Sequence, residues 1–499
     1  MKVAPRPVLP GLRVHDGIVV TALRSNGFVL LTVLVVVMLA SMLSVSLMFS
    51  LRADVTAQVA GEQQEQAWSA AMSGVSRAIA VAQSSMRGVP LTAENPGAFQ
   101  HQFVAPDGDD RWYFTVYSAS DSIGAEVRFG LTDEAGKFPL KYTDPAWLAI
   151  LPGLDETLAR ALAPAGSAYT AASTTNPGTA SPLPPTGSPT NSPAEPALET
   201  GAVVPSSTNR PATLASSSTP DYPDTLEEVF VRAGVGLQLL YGEDANHNLR
   251  LDPNEDDGDT ESPSDDRNGL LDPGLQQFLS TVSYDPNVDS EGRPRINLND
   301  PKADLSALGL PAATTDYLAA LRRAGRNLAH PVELLDAETS LPDAAGKVAP
   351  LKSAIGRDQL PAILDRCTTT DSQRLEGLIN INSAPRAVLA AIPALGETGA
   401  DAIVAARPGL GADERRTPAW LLQRGLVTAD QFKQLAPHFT TRSFQFSFHS
   451  LGYSVPSGRY RVLDAVIDVA PRPARILALR DLTRLGFPMP IELLQNAGP

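Results

Sequence analysis

From Phe28 to Leu51 the chain reads FVLLTVLVVVMLASMLSVSLMFSL, without a single charge. The run has about the 20 residues that a helix needs to cross the hydrocarbon layer of a bilayer. Ahead of it stand Lys2, Arg6, Arg13 and Arg24, opposed only by Asp16. Positive charge on one flank keeps that flank cytoplasmic, so the N-terminus is expected inside and the bulk of the chain on the periplasmic side of the cell inner membrane.

A cleaved secretory signal carries a shorter apolar core and small residues after it, whereas here Arg52 and Asp54 follow closely on the apolar run. The junction Arg24-Ser25-Asn26-Gly27-Phe28 instead resembles a type IV prepilin peptidase site. That resemblance implies cleavage after Gly27, making residues 1–27 a cytoplasmic leader and Phe28 the new, methylated N-terminus. A plain signal anchor with a glycine before its helix is the alternative reading. Proteins of the pilin-like class mostly carry Glu at the fifth mature position, where Thr32 stands here. A buried N-terminal ammonium needs a partner, so a subunit lacking that carboxylate suits the end of a filament better than its body.

Beyond the membrane run, Trp68, Met72, Val75, Ile79 and Ala82 recur at helical spacing, and Gly88 and Pro90 form a stop signal. Strand-like runs follow at Trp112–Tyr117 and Glu126–Leu131, and alternation returns only at Phe444–Phe448, Tyr460–Val469 and Arg475–Leu479. The expected fold is α+β: a long N-terminal helix, transmembrane over 28–51, and a pilin-like antiparallel sheet built from 52–142 and 441–499. Residues 143–440 form a large, mainly α insert, and the order of strand pairing stays open.

Within the insert, 164–223 is rich in Ser, Thr, Pro, Ala and Gly without apolar periodicity, and reads as a linker. Three passages share a plan: GKFPLKYTDPAWLAILPGLDETLARALA from Gly136, PRINLNDPKADLSALGLPAATTDYLAALRRAG from Pro294, and LININSAPRAVLAAIPALGETGADAIVAARPG from Leu378. In each, an extended piece leads to a helix with Pro145, Pro301 or Pro385 near its start, with Asp144 and Asp300 placed as caps, and a second helix follows. These passages resemble helix-hairpin-helix units. Such units often grip DNA phosphates, but Asp155, Glu156 and Glu397 stand where cations are needed, and the chain carries a formal charge of -15. A packing role and no nucleic-acid partner are expected.

The stretch Tyr241–Gly274 reads YGEDANHNLRLDPNEDDGDTESPSDDRNGLLDPG. Asp244, Asn246, Asn248, Asp252 and Glu255 fall at positions 1, 3, 5, 9 and 12 of an EF-hand-type loop, with Arg250 at position 7 offering its carbonyl. Leu251, at position 8, is expected to tie the loop to the core. Leu249 stands where glycine belongs, so a wider turn is expected. A second, incomplete copy runs through Asp266, Asn268 and Asp272, with Gly269 in its turn but Ser264 and Leu275 at its ends. Asp256, Asp257, Asp259 and Asp265 lie between and are available to complete either site. Crowded carboxylates need a cation or full solvation. All-oxygen ligation, with the one cysteine at Cys367 and only His247 nearby, points to calcium as the cofactor rather than zinc or copper.

Taken in order, the leader junction, Thr32, the three passages, the YGED-led acidic loop and the terminal strands resemble the K-type minor pseudopilins of bacterial type II secretion systems. The long Ser/Pro linker departs from compact members of that family. The resemblance implies a calcium-bound, non-enzymatic subunit at the pseudopilus tip that supports export of folded proteins across the outer membrane. Its implied partners are I-like and J-like minor pseudopilins, the major pseudopilin, the inner-membrane assembly platform and the prepilin peptidase. No GxSxG, HExxH or GxxxxGK[ST] occurs, and the six histidines are scattered. Two rivals are a DNA-uptake or competence pilin, which calls for a basic stripe absent here, and a signal-anchored periplasmic enzyme with a calcium scaffold.

Overall fold

The computed structural model describes residues 26–85, 93–120, 127–163, 222–258, 260, 263–342 and 348–489. The leader up to Ser25, the stop signal at Gly88 and Pro90, residues 164–221 and Asp259 lie outside them. Helix α1 runs from Asn26 to Ser85. The chain divides into two units, Met1–Glu65 and Gln66–Pro499. In the first, every described side chain from Leu30 to Gln58 is exposed. This part of α1 is long and apolar enough to cross a membrane. Two of its hydroxyls are satisfied within the helix: Ser41 and Ser44 donate to the carbonyls of Val37 and Ala40 at 2.7 and 2.8 Å.

The second unit contains one antiparallel sheet whose strands come from both ends of the sequence. They are β1 (Gln102–Asp107), β2 (Asp110–Ala119), β3 (Val127–Arg128), β4 (Thr132–Asp133), β5 (Gln445–Val455), β6 (Tyr460–Asp468) and β7 (Arg475–Asp481). The order is β1-β2-β5-β6-β7, with β3 beside β2 and β4 beside β5. The single strand expected over 126–131 is broken. β2 and β5 pair only between Arg111–Tyr117 and His449–Val455, and past that point the chain straddles the fork between them. Arg128 pairs with Ser118 on one side, and Asp133 with Phe446 on the other.

Alternation along β5 sends its side chains to two faces. Phe446 and Phe448 join Val75, Ala78 and Ala82 of α1 in one core cluster, while Leu451 and Tyr453 join Tyr117 and Val462 on the opposite face. The buried stripe of α1 is centred on Ala67, Ala70, Ala71, Gly74, Val75, Ala78 and Ala82. Of the expected stripe, Val75 and Ala82 lie within it, whereas the bulkier Trp68, Met72 and Ile79 only flank it. Small residues let the helix backbone approach the sheet closely. The hydroxyl of Ser450 donates to the carbonyl of Ala71 at 2.7 Å. A Cβ placed on Gly452 would stand 2.3 Å from the amide nitrogen of Ala71.

Between β4 and β5 the chain builds a separate apolar core around Trp420, Phe230, Phe432, Phe138 and Leu148. Each of the three passages opens on a two-residue strand that pairs in parallel with another two-residue strand further on. Phe138–Pro139 pairs with Leu279–Ser280, Ile296–Asn297 with Cys367–Thr368, and Ile379–Asn380 with Phe439–Thr440. The next residue, Leu140, Leu298 or Ile381, is buried in the common core. In the second and third passages the asparagines clamp the returning chain. Asn299 Nδ2 donates to the carbonyls of Leu328 and Thr369, and Asn382 Nδ2 to those of Arg415 and Thr441.

The helices inside these passages are α2 (Pro145–Leu148) and α3 (Glu156–Leu162), then, after α4 (Leu226–Arg232) and α5 (Leu237–Tyr241), α6 (Ala312–Arg323), α7 (Arg386–Ala390) and α8 (Gly396–Ala406). Asp144 caps α2 by accepting from the amide of Ala146 at 2.9 Å. No α-helix starts at Pro301. Asp300 holds a turn by accepting from Lys302, and the helical hydrogen bonds begin after Pro311. The described residues that flank 164–221 meet, since Tyr222 donates from its hydroxyl to the carbonyl of Leu162 at 2.9 Å. Adjacent anchor points let a long insertion enter without separating the helices that flank it.

Candidate cation site

Tyr241–Gly274 folds into two loops joined at their base. A Cβ on Gly242 would stand 2.1 Å from the carbonyl oxygen of Asp272, so only glycine fits that crossing, and Glu243 donates its amide to the same oxygen at 2.8 Å. The first loop follows the spacing read from the sequence. Asp244, at position 1, is fully buried and accepts from the amides of Asn248 at 2.9 Å and Leu249 at 3.1 Å. Asn246 Oδ1 accepts from Asn248 at 3.0 Å, and Asn248 Oδ1 from the amide of Arg250 at 2.7 Å. Glu255, at position 12, closes the loop, accepting from Ala245 and from Asp252, each at 3.0 Å.

Leu249 does not widen the turn. It adopts φ +63, the left-handed conformation that glycine would take at position 6, and Gly269 takes φ +73 at the same position of the second loop. Position 4 is left-handed in both as well, at His247 (φ +54) and Arg267 (φ +55). The two loops therefore share a backbone course that the sequence spacing only suggested. Leucine is held in this conformation because its side chain packs on the sheet with Tyr117, Leu451 and Val462. It is thus Leu249, not the half-buried Leu251, that ties the loop to a core.

The second loop is completed by residues from beyond its own span. Asp256 Oδ1 accepts from Gly269 at 3.2 Å, matching the bond from Leu249 to Asp244. Glu243 Oε2 accepts from Asp272 at 3.0 Å, matching the bond from Asp252 to Glu255. Asp256 and Glu243 thus play the parts that Ser264 and Leu275 cannot. Asp266 accepts from Asn268, and Asn268 Oδ1 from Leu270 at 2.7 Å, as in the first loop. Asp265 does different work from that expected of a ligand: it accepts from the amides of Asp257, Gly258 and Arg267 and holds the turn between the loops. Glu243 escapes a position-by-position reading, but paired acids at both ends of the first loop, Glu243-Asp244 and Glu255-Asp256, carry the signal.

Electrostatically the first loop carries more acid than base, with Asp244, Asp252 and Glu255 against Arg250. Burial, then the charges of Glu255 and Asp252, raise the Asp244 pKa to about 7. Burial likewise raises Glu255, with Asp252 adding to it, and raises Glu243, with Asp272 and Asp266 adding. Asn246 Nδ2 and Asn248 Nδ2 donate to Asp252 Oδ2, at 2.6 and 2.8 Å. Among the described residues no three His, Cys, Asp or Glu side chains form a closed metal cluster. Ligation by the two asparagines requires their amides to turn, presenting oxygen where nitrogen now points. The backbone course, the oxygen-only donors and the unneutralised Asp244 fit a hard divalent cation, whose binding would then be coupled to that rearrangement.

Comparison with protein-family models, with curated proteins and with solved structures returned no match.

Proposed function

We propose that this chain is a minor pseudopilin of a type II secretion system, resembling the K-type tip subunit, with a calcium-holding double loop in its periplasmic part. The observation that carries this reading is the way one helix serves two environments. Up to Gln58 the described side chains of α1 are exposed and largely apolar, and from Ala67 a stripe of small residues beds onto a sheet assembled from the two ends of the chain. An anchor that continues into a sheet-packing helix is what a pilin-like subunit needs to leave the membrane and join a filament.

The first and third passages read as helix-hairpin-helix units used for packing, and the second, with α6 as its one α-helix, packs in the same core. Asp155 caps α3 by accepting from Leu158 at 2.7 Å, and Glu397 at the other hairpin is paired with Arg386. Both features disfavour a phosphate at these helix starts. The role is structural: together with I-like and J-like partners the chain would start a filament that the inner-membrane platform extends. The test is reconstitution of the full chain in detergent with I-like and J-like minor pseudopilins, analysed by native mass spectrometry. A 1:1:1 complex is the expected result. Absence of association at micromolar concentration, alongside duplex DNA binding at physiological salt, would instead support a DNA-uptake pilin.

A further inference from the structure

We infer that Arg480, on the C-terminal strand β7, is a positioning residue for the first acidic loop, more than two hundred residues earlier in the chain. The inference rests on the proposed reading that this loop holds a divalent cation.

The link is a chain of short contacts. Arg480 Nε lies 3.2 Å from Asp464 Oδ2 of β6, and its guanidinium pairs with Glu227 of α4. The same Glu227 oxygen accepts from the hydroxyl of Tyr241 at 2.5 Å. The Tyr241 ring, at the end of α5, lies 4.1 Å from the ring of His247. His247 is position 4 of the loop. A fixed Arg480 thus fixes Glu227, Glu227 fixes the tyrosine, and the tyrosine backs the imidazole from behind.

The two loops are backed differently. Positions 4 and 6 of the first loop are His247 and Leu249, both left-handed and neither glycine, a conformation that persists only where surroundings impose it. In the second loop Gly269 takes the left-handed turn at position 6 freely, and the left-handed Arg267 at position 4 is held by its own guanidinium, which donates to Asp257 and Thr260. Leu249 is held by the sheet and His247 by Tyr241. The turn that aims the Asn246 and Asn248 side chains is therefore held from outside the loop, through residues that never touch the cation.

Charge and position make opposite demands, which allows them to be separated. Removing a cationic side chain near an acidic loop should tighten calcium binding if only the field matters, and weaken it if the contact chain holds the loop in shape. Tyr241→Phe removes one hydroxyl and changes no charge.

The experiment measures calcium binding to the full chain in detergent micelles by calorimetry, together with amide hydrogen exchange over 244–272. The variants are Tyr241→Phe, Arg480→Ala and Arg480→Lys. Wild type is expected to bind calcium and to slow exchange across the loop. Tyr241→Phe and Arg480→Ala should bind about two- to thirty-fold more weakly, with melting in chelator within a few degrees of wild type, and Arg480→Lys should recover part of the loss. Calcium binding by both variants that equals or exceeds wild type overturns the positioning role and leaves the cation reading standing. No calcium binding by the wild type overturns the cation reading itself, and the positioning role with it.

Discussion

Asp244 concentrates the chemistry of the acidic loop in one carboxylate. Its raised pKa fixes the sign of a pH effect: the folded, cation-free protein holds a proton more tightly than the unfolded chain. The stability this confers is present below about pH 4 and is lost as pH rises towards 7. Melting in chelator should therefore fall across that window, and saturating calcium should reverse the fall at pH 7, by about 2.7 kcal/mol at a hundred times the dissociation constant. Asp244→Ala and Asp252→Ala should each remove the first loop's share of the difference between calcium and chelator, and unchanged calcium-dependent stabilisation in either would count against the site. Leu249 supports a second prediction. Glycine there would restore the usual loop pattern and relieve φ +63, yet it would empty a buried position against Tyr117 and Leu451. Leu249→Gly should destabilise by about 1–3 kcal/mol in urea unfolding, the loss of packing outweighing the relief of strain. The course of the first loop was legible in the sequence because it depends on local order. The exchange of Glu243 and Asp256 between loops was not, because it depends on how the loops cross at Gly242 and Gly274.

At the scale of elements, the α1–sheet contact depends on smallness more than on hydrophobic bulk. Apolar periodicity finds the helix, but it points to Trp68 and Met72, where the structure buries Ala67, Ala71 and Gly74. A pattern of large side chains marks the rim of an interface whose centre is a close backbone approach, and alanine carries little signal in a sequence. Gly452→Ala should cost about 2–3 kcal/mol by driving a methyl group into the backbone of α1. Gly61→Ala, with nothing within 4 Å of the added carbon, should leave the protein unchanged or stabilise it by about 0.5–1 kcal/mol. Equal effects of the two in thermal unfolding would contradict this packing. The insert shows the converse case. Its INLN and ININ strings were legible as repeats, and the structure gives the reason for the last asparagine of each: Asn299 and Asn382 hold equivalent carbonyls in the returning chain. Asn299→Ala and Asn382→Ala should each cost about 1–3 kcal/mol, since each leaves two part-buried acceptors without this donor. The first passage has Lys141 at this position and shares only the parallel pairing. Helix starts were read well where a side chain caps them locally, as at Asp144, and wrongly at Pro301, where the same Asp-Pro pair makes a turn.

At the scale of the molecule, the two ends of the chain meet in one sheet, and three passages closed by parallel pairs lie between them. This division followed from strand alternation vanishing after 131 and returning near 444; the strand order did not, because the fork that splits β3 from β4 is set by tertiary pairing. With the apolar first half of α1, this architecture is what we propose to be a pilin-like subunit delivered to the membrane behind a cleavable leader. Mass spectrometry of the N-terminus after co-expression with a prepilin peptidase tests this. The expected chain begins at a methylated Phe28, with Gly27→Ala or a larger substitution blocking the cut. A chain that keeps residues 1–27 in the presence of active peptidase would contradict the proposal, and would make α1 the signal anchor of a protein of another class.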